Sequence, residues 1–139
     1  MHESDNTLKR LNEWGKNTML AHLGIEITDC GEKYLCGKMP VDHRTHQPMG
    51  LLHGGASVAL AETLGSIGAA LQVDLEKQAC VGLEINANHV RGVREGWVYG
   101  KATAIHVGRS TQIWEIKITN EAGDLVCISR MTVAVIDKK

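Results

Sequence analysis

The 139-residue sequence predicts an α+β fold, a curved antiparallel sheet of about six strands wrapped around one long central helix. Three observations carry this expectation. The stretch from Gly54 to Val73 is apolar on nearly every helical face, which marks a buried helix. Strand-like runs flank it, two before and four after. The links "GVREG", "GRS" and "NEAGD" between the last four are short, which predicts that these strands are antiparallel neighbours.

Taken in order, the chain opens with Leu8, Leu11 and Trp14 at helical spacing behind Asp5 or Asn6 as N-cap, and Gly15 ends or bends this helix. A second turn over Asn17 to His22 completes a short N-terminal helical segment, residues 5–22. The runs "GIEITDC" and "KYLCGKMPV", divided at Cys30-Gly31-Glu32, predict a hairpin whose second strand is closed by Pro40. "DHRTHQPMG" is loop, rich in turn residues and without an apolar period. The central helix follows, about 20 residues and hence roughly 30 Å long. Then come "ACVGLEINANHVR", "GWVYGKATAIHV", "TQIWEIKIT" and "LVCISRMTVAVI"; in the third, Trp114, Ile116 and Ile118 alternate with Glu115, Lys117 and Thr119, the pattern of a sheet with one buried face. No internal repeat interrupts the chain, and residues 1–139 are read as one domain. One helix cannot cover so broad a sheet, so a second copy related by a twofold axis is expected to complete the burial.

Composition narrows the function classes. Hydrophobic residues make up 43% and charged residues 22%, a balance that fits a folded chain rather than a disordered or membrane-embedded one. The net charge of -1, with no basic run, argues against a nucleic-acid partner. Cys30, Cys36, Cys80 and Cys127 form no C-x-x-C pair and fall in strand-like runs, as reduced core thiols do. The N-terminus carries no apolar signal-peptide core and no segment is long enough to cross a bilayer, so no membrane association and a cytoplasmic location are expected.

The chemistry concentrates in "HQPMGLLHGGASVALAETLGSIGAALQ". Gly54 and Gly55 open the long helix, where N–H groups lack intrahelical partners and the helix dipole is positive, so they offer an oxyanion hole for an attacked carbonyl. Gln47 and His53 stand close enough in sequence to hydrogen-bond a carbonyl, a leaving group or a water. The alternative is that Gly-Gly merely makes a tight turn and His53 a cap. Glu62 weighs against that, because a carboxylate in an apolar helix must be paired or put to use. A structural ion pair with Arg91, Arg94 or Arg130 is the plain alternative for it. Nine residues separate His53 from Glu62, about 13 Å along a helix and on opposite faces, so the two cannot act on one bond within one chain. Two such helices packed antiparallel about a twofold axis would bring Glu62 of one subunit to the Gly54 end of the other.

The residues "QPMGLLHGGASVALAETLGS", with "MPVDHRTHQP" before and "INANHVR" and "GRSTQIWEIKI" after, resemble the hotdog-fold acyl-CoA thioesterases, in the branch of 4-hydroxybenzoyl-CoA thioesterase and the phenylacetate-pathway thioesterases. The resemblance runs from about Leu20 to the C-terminus. It implies a hotdog fold, a homotetramer built as a dimer of dimers, and thioester hydrolysis with neither metal nor other cofactor. Carried over by position, Gly54 polarises the thioester carbonyl, Gln47 and His53 orient the substrate, and Glu62 of the facing subunit is nucleophile or general base. Ser66 holds the attacking water or the carboxylate. Gly55 is expected to join in binding the substrate, and, since coenzyme A carries phosphates, His89 and Arg91, together with Arg109, Ser110 and Thr111, are expected to meet phosphate and the nucleotide. His43 and His46 in "DHRTH" lack further ligands at metal-binding spacing.

The substrate implied is an acyl-CoA, or an acyl- or aryl-carrier protein, bearing an aromatic group of hydroxybenzoyl or dihydroxynaphthoyl type or a medium-length chain. Met19, Leu23, Met49 and Leu52 are expected to line its pocket. Two other readings compete: a hotdog dehydratase of 3-hydroxyacyl thioesters, whose histidine would stand where Gln47 does here, and a non-catalytic acyl-CoA-binding module, which would not need Glu62.

Overall fold

The computed structural model describes residues 3–139. Its elements are α1 (Glu3–Trp14), α2 (Met19–Leu23), β1 (Glu26–Cys30), β2 (Tyr34–Val41), α3 (Gly54–Ala70), β3 (Gln78–His89), β4 (Gly96–Val107), β5 (Thr111–Thr119) and β6 (Leu125–Asp137). The six strands form one antiparallel sheet in the order β1-β2-β4-β5-β6-β3, and α3 lies across all of these but β1.

The hairpins β1–β2, β4–β5 and β5–β6 join neighbours as their short links require, but β3 does not sit beside β4. It pairs with β6 at the far side, in a register that sets His89 against Cys127 and Val81 against Ala134. The link to β4 instead crosses under the start of α3, where Val93 accepts the Leu52 N–H at 2.8 Å. Six extended residues reach roughly 20 Å, enough to pass strands three places apart, so shortness alone does not dictate adjacency. β3 is therefore an edge strand with one side of its backbone unpaired among the described residues.

Several boundaries differ from expectation, among them the end of the central helix, which closes at Ala70 after 17 residues rather than at Val73. α1 already includes Glu3, which puts Asp5 and Asn6 inside the helix rather than at its cap. Pro40 lies within β2, opposite Trp97 of β4 and past the last residue of β1 that pairs with β2, where a missing N–H breaks no β1 ladder. α1 is tied to the sheet by Asn12, whose side chain accepts the Ile27 N–H at 2.8 Å and donates to the Ile27 carbonyl at 3.0 Å, imitating a strand partner at the free edge of β1.

The core forms between α3 and the sheet. Leu60, Ala61, Leu64 and Ala69 pack on Leu35, Met39, Val98, Trp114, Ile116, Ile118 and Met131, all of them fully buried. In a chain without phenylalanine, Trp114 is the largest buried side chain. Gly68 of α3 makes room for it: a Cβ there would stand 2.9 Å from the indole ring. The cysteines are free, Cys127 buried and the others half-buried, and burial raises the thiol pKa of all four. Among the described residues no helix is long and apolar enough to cross a membrane.

The expectation of a helix buried on every side holds only for the face toward the sheet. Glu62 is exposed, and Val58, Ala59, Thr63, Ser66 and Ile67 around it are half-buried. A single sheet can enclose a helix from one side, so this stripe, continuous with the edge of β3, is left without cover in one chain.

Candidate active site

The loop between β2 and α3 is held from both ends. Asp42 accepts the Arg44 N–H at 2.9 Å and pairs with the Arg44 guanidinium at 2.7 Å, which lowers the Asp42 pKa to about 2. The buried Thr45 hydroxyl donates to the Pro40 carbonyl at 2.7 Å, and His46 donates through Nε2 to the Arg94 carbonyl at 2.7 Å. Gln47 closes a tight turn: its N–H donates to the Leu51 carbonyl at 2.8 Å, and its Oε1 accepts the Met49 N–H. The acceptor of the carboxamide is thereby engaged, and the group left to meet a ligand is its NH2, a donor suited to a carbonyl oxygen.

His53 is the N-cap of α3, and its Nδ1 accepts the Gly55 N–H at 2.7 Å. This bond places the ring proton on Nε2, so His53 too presents a donor. It also corrects the expectation of two free glycine amides. The Gly55 N–H is consumed by the cap and the Ala56 and Ser57 N–H groups turn to the His53 carbonyl, while the Gly54 N–H has no acceptor among the described residues. His89, at the end of β3, lies over Gly54 so closely that a Cβ on that residue would stand 3.0 Å from Nε2. Gln47, Gly54, His89 and Arg91 thus share one recess of about 450 Å³. Ser57, buried on the first turn of α3, lines it as well and was not singled out in the sequence; its signal was a hydroxyl three residues after Gly54 in the apolar first half of the helix.

Glu62 and Ser66 are elsewhere, eight residues and more along α3 from Gly54, hence at least about 12 Å away. They open onto a separate cavity of about 450 Å³ between α3 and the α1–α2 segment. Glu62 makes no ion pair among the described residues, so the expected alternative of a partner at Arg91, Arg94 or Arg130 is not realised. Its carboxylate faces β3 instead, where a Cβ on Gly82 would come within 3.3 Å of Oε2. Met19 and Leu23 line this cavity as anticipated. Leu52 belongs to the Gly54 recess, and Met49 is 73% exposed at the tip of the loop.

The residues assigned to coenzyme A are likewise divided. Arg109, Ser110 and Thr111 are exposed on the β4–β5 turn, and Thr111 pairs with Ala134, the residue that also faces Val81. His89 is eight residues further along β3, roughly 26 Å away. One chain therefore carries two incomplete sets: donors and cations around Gly54 at one end of β3, and a carboxylate, a hydroxyl, an apolar cavity and a basic turn toward the other.

Comparison with known sequences and structures finds a match to the Thioesterase superfamily over residues 49–127. The chain is 50% identical to the 1,4-dihydroxy-2-naphthoyl-CoA hydrolase of Escherichia coli over 94% of its own length and 95% of that protein's. Among solved structures it is similar to a thioesterase of Pseudomonas aeruginosa crystallised as a glutamine-to-alanine variant, with a TM-score of 0.92 and 50% identity over 94% of each chain. It is also similar to a Staphylococcus aureus protein, 40% identical with a TM-score of 0.84 over 86% of this chain and 99% of that one, solved as a glutamate-to-alanine variant. A glutamine-to-alanine variant of that protein, with a TM-score of 0.82 at 40% identity over 84% of this chain and 97% of that one, has been solved too, and the two altered positions are fifteen residues apart.

Proposed function

We propose, for a chain that belongs to the thioesterase superfamily and is a thioester hydrolase of the hotdog fold, that its substrate is an acyl-CoA and that each active site is assembled from two subunits. The observation that carries the proposal is the division of the functional groups. The Gly54 amide and the NH2 of Gln47 lie at one end of β3 and Glu62 near the other, while the β3 edge is unpaired among the described residues and the strand bears the exposed apolar side chains Val81 and Leu83. An antiparallel pairing of two copies of this edge about a dyad between Ile85 and Asn86 would set Gly82 opposite the partner subunit's His89. Glu62 would then approach the partner subunit's Gly54, and Arg109, Ser110 and Thr111 would move toward the same mouth.

In such a site the Gly54 N–H, Gln47 and the His53 Nε2–H donate to the thioester oxygen as it gains charge. Water adds to the carbonyl carbon with Glu62 taking its proton, or Glu62 adds first and water cleaves the resulting anhydride. In the first route the tetrahedral adduct then collapses with cleavage of the C–S bond; in the second the C–S bond breaks as the anhydride forms and before water arrives. In both, coenzyme A leaves as a thiolate that takes up a proton. Oxygen-18 from labelled water appearing in Glu62 after one turnover identifies the anhydride route. Ser66, one turn along α3 from Glu62, orients the water or the carboxylate. Gln47 and Glu62 are fifteen positions apart, the spacing of the two residues replaced in the Staphylococcus aureus structures, which supports giving both a part in the reaction. A twofold pair leaves further apolar surface on the sheet, at Ile105 and Ile136, which supports a dimer of dimers.

The test mixes two inactive variants, Glu62→Ala and Gln47→Ala. Each alone should lose at least about 10²-fold in kcat. After subunit exchange, half the dimers are mixed and each mixed dimer holds one intact site, so thiol release from an acyl-CoA should recover to about a quarter of wild type. No recovery despite verified exchange would show that each site lies within one chain. Hydration of crotonyl-CoA without thiol release would favour the dehydratase reading instead.

A further inference from the structure

The superfamily match begins at residue 49, so α1 and α2 lie outside it, yet they form one whole wall of the cavity onto which Glu62 opens. We infer that this N-terminal segment is the acyl-selecting element of the site and that it selects an acyl group whose far end is apolar, either an aryl ring without a distal hydroxyl or an alkyl chain. The inference rests on the shared-site reading above, which fixes where the thioester carbon sits.

The lining itself makes the argument. Away from α3 the cavity is walled by Trp14, Met19, Leu20, Leu23 and Ile25, and Ile67 closes it from α3. The polar groups that reach it are Glu62, Thr63 and Ser66, which sit at the reacting end, and Thr18. The Thr18 hydroxyl is already committed, donating to the Gly15 carbonyl at 2.6 Å and accepting the Leu20 N–H at 3.2 Å. A hydroxyl carried deep into this cavity would lose its water and find no partner, whereas a methyl or an aromatic edge would be buried favourably. The volume, about 450 Å³, is within the range that encloses a small organic ligand. Trp14 and Met19 are 54% and 60% exposed beside it, apolar surface that a bound acyl group would cover. α1 is moreover fixed in place through Asn12 on β1, so this wall is preformed rather than recruited.

The experiment compares matched pairs of CoA thioesters on the wild-type protein: octanoyl against 8-hydroxyoctanoyl, and phenylacetyl against 4-hydroxyphenylacetyl. The hydroxylated member of each pair should show a kcat/KM lower by about 10- to 100-fold. In Trp14→Ala and Met19→Ala, whose side chains are largely outside the core, the octanoyl-to-acetyl ratio of kcat/KM should fall about 10-fold as the apolar wall is lost. Equal turnover within each pair, or an unchanged ratio in both variants, overturns the inference and leaves the thioesterase reading intact. Thiol release from none of these esters overturns both.

Discussion

The two nitrogens of His53 are placed differently: Nδ1 accepts the Gly55 N–H, and the proton on Nε2 is left to donate. The two roles separate by substitution. His53→Ala removes the cap and should cost about 1 kcal/mol of stability together with a fall in kcat. His53→Asn restores a capping oxygen but not the Nε2 donor, so thermal unfolding should return toward wild type while kcat stays low. A kcat recovered along with the melting temperature would reduce His53 to a cap. The cap and the donor were both legible in the sequence as competing readings; the structure shows the cap, and its geometry leaves the Nε2 proton available for the other. What the sequence could not show is that this same bond engages the Gly55 amide and leaves the Gly54 amide without an acceptor among the described residues.

At the scale of elements, α3 is positioned by a buried polar network at its far end. Gln112, fully buried on β5, donates to the Ala69 carbonyl at 3.3 Å and accepts the Trp114 indole N–H at 2.8 Å. It satisfies a helix C-terminal carbonyl and the largest core side chain together. Gln112→Leu would strand the Trp114 indole N–H in the core, leaving the Ala69 carbonyl with the Gln72 N–H at 3.0 Å, and should cost roughly 2 kcal/mol, read as a lower urea midpoint with an unchanged slope. Unaltered stability would mean that α3 does not depend on this clasp. The alternation in "TQIWEIKIT" already put Gln112 on the face of Trp114, Ile116 and Ile118, and a glutamine in that series was the readable sign of a buried partner. The strand boundaries of β4 and β5 were equally plain, because period-two alternation ends sharply at Gly and Asn. The place of β3 in the sheet was not, since a six-residue link permits either a hairpin or a crossing and the choice depends on which ladder buries more surface.

For the whole molecule, the free edge of β3 and the uncovered stripe of α3 are adjoining surfaces, and the shared-site proposal has a second copy cover both. Leu83, 62% exposed at the register shift between Gly82 and Glu84, lies at the middle of that surface. Leu83→Lys leaves the core of the protomer untouched and should weaken self-association at least about 10-fold, seen as a shift toward monomer in sedimentation. Specific activity should then fall on dilution at concentrations where wild type holds constant. A monomeric variant with full specific activity would refute a shared site.

The sequence alone determined the secondary elements, the apolar rod with one carboxylate in it, and the residue types gathered around Gly54, because these follow from periodicity and from the chemistry of neighbours along the chain. Only the tertiary structure decided that α3 is covered on one side, that β3 lies at an edge, that Glu62 has no cation of its own, and that Trp14 and Met19 wall its cavity. The reason is that burial and pairing are set between segments distant in sequence, by which surfaces the closing sheet reaches and which it leaves uncovered.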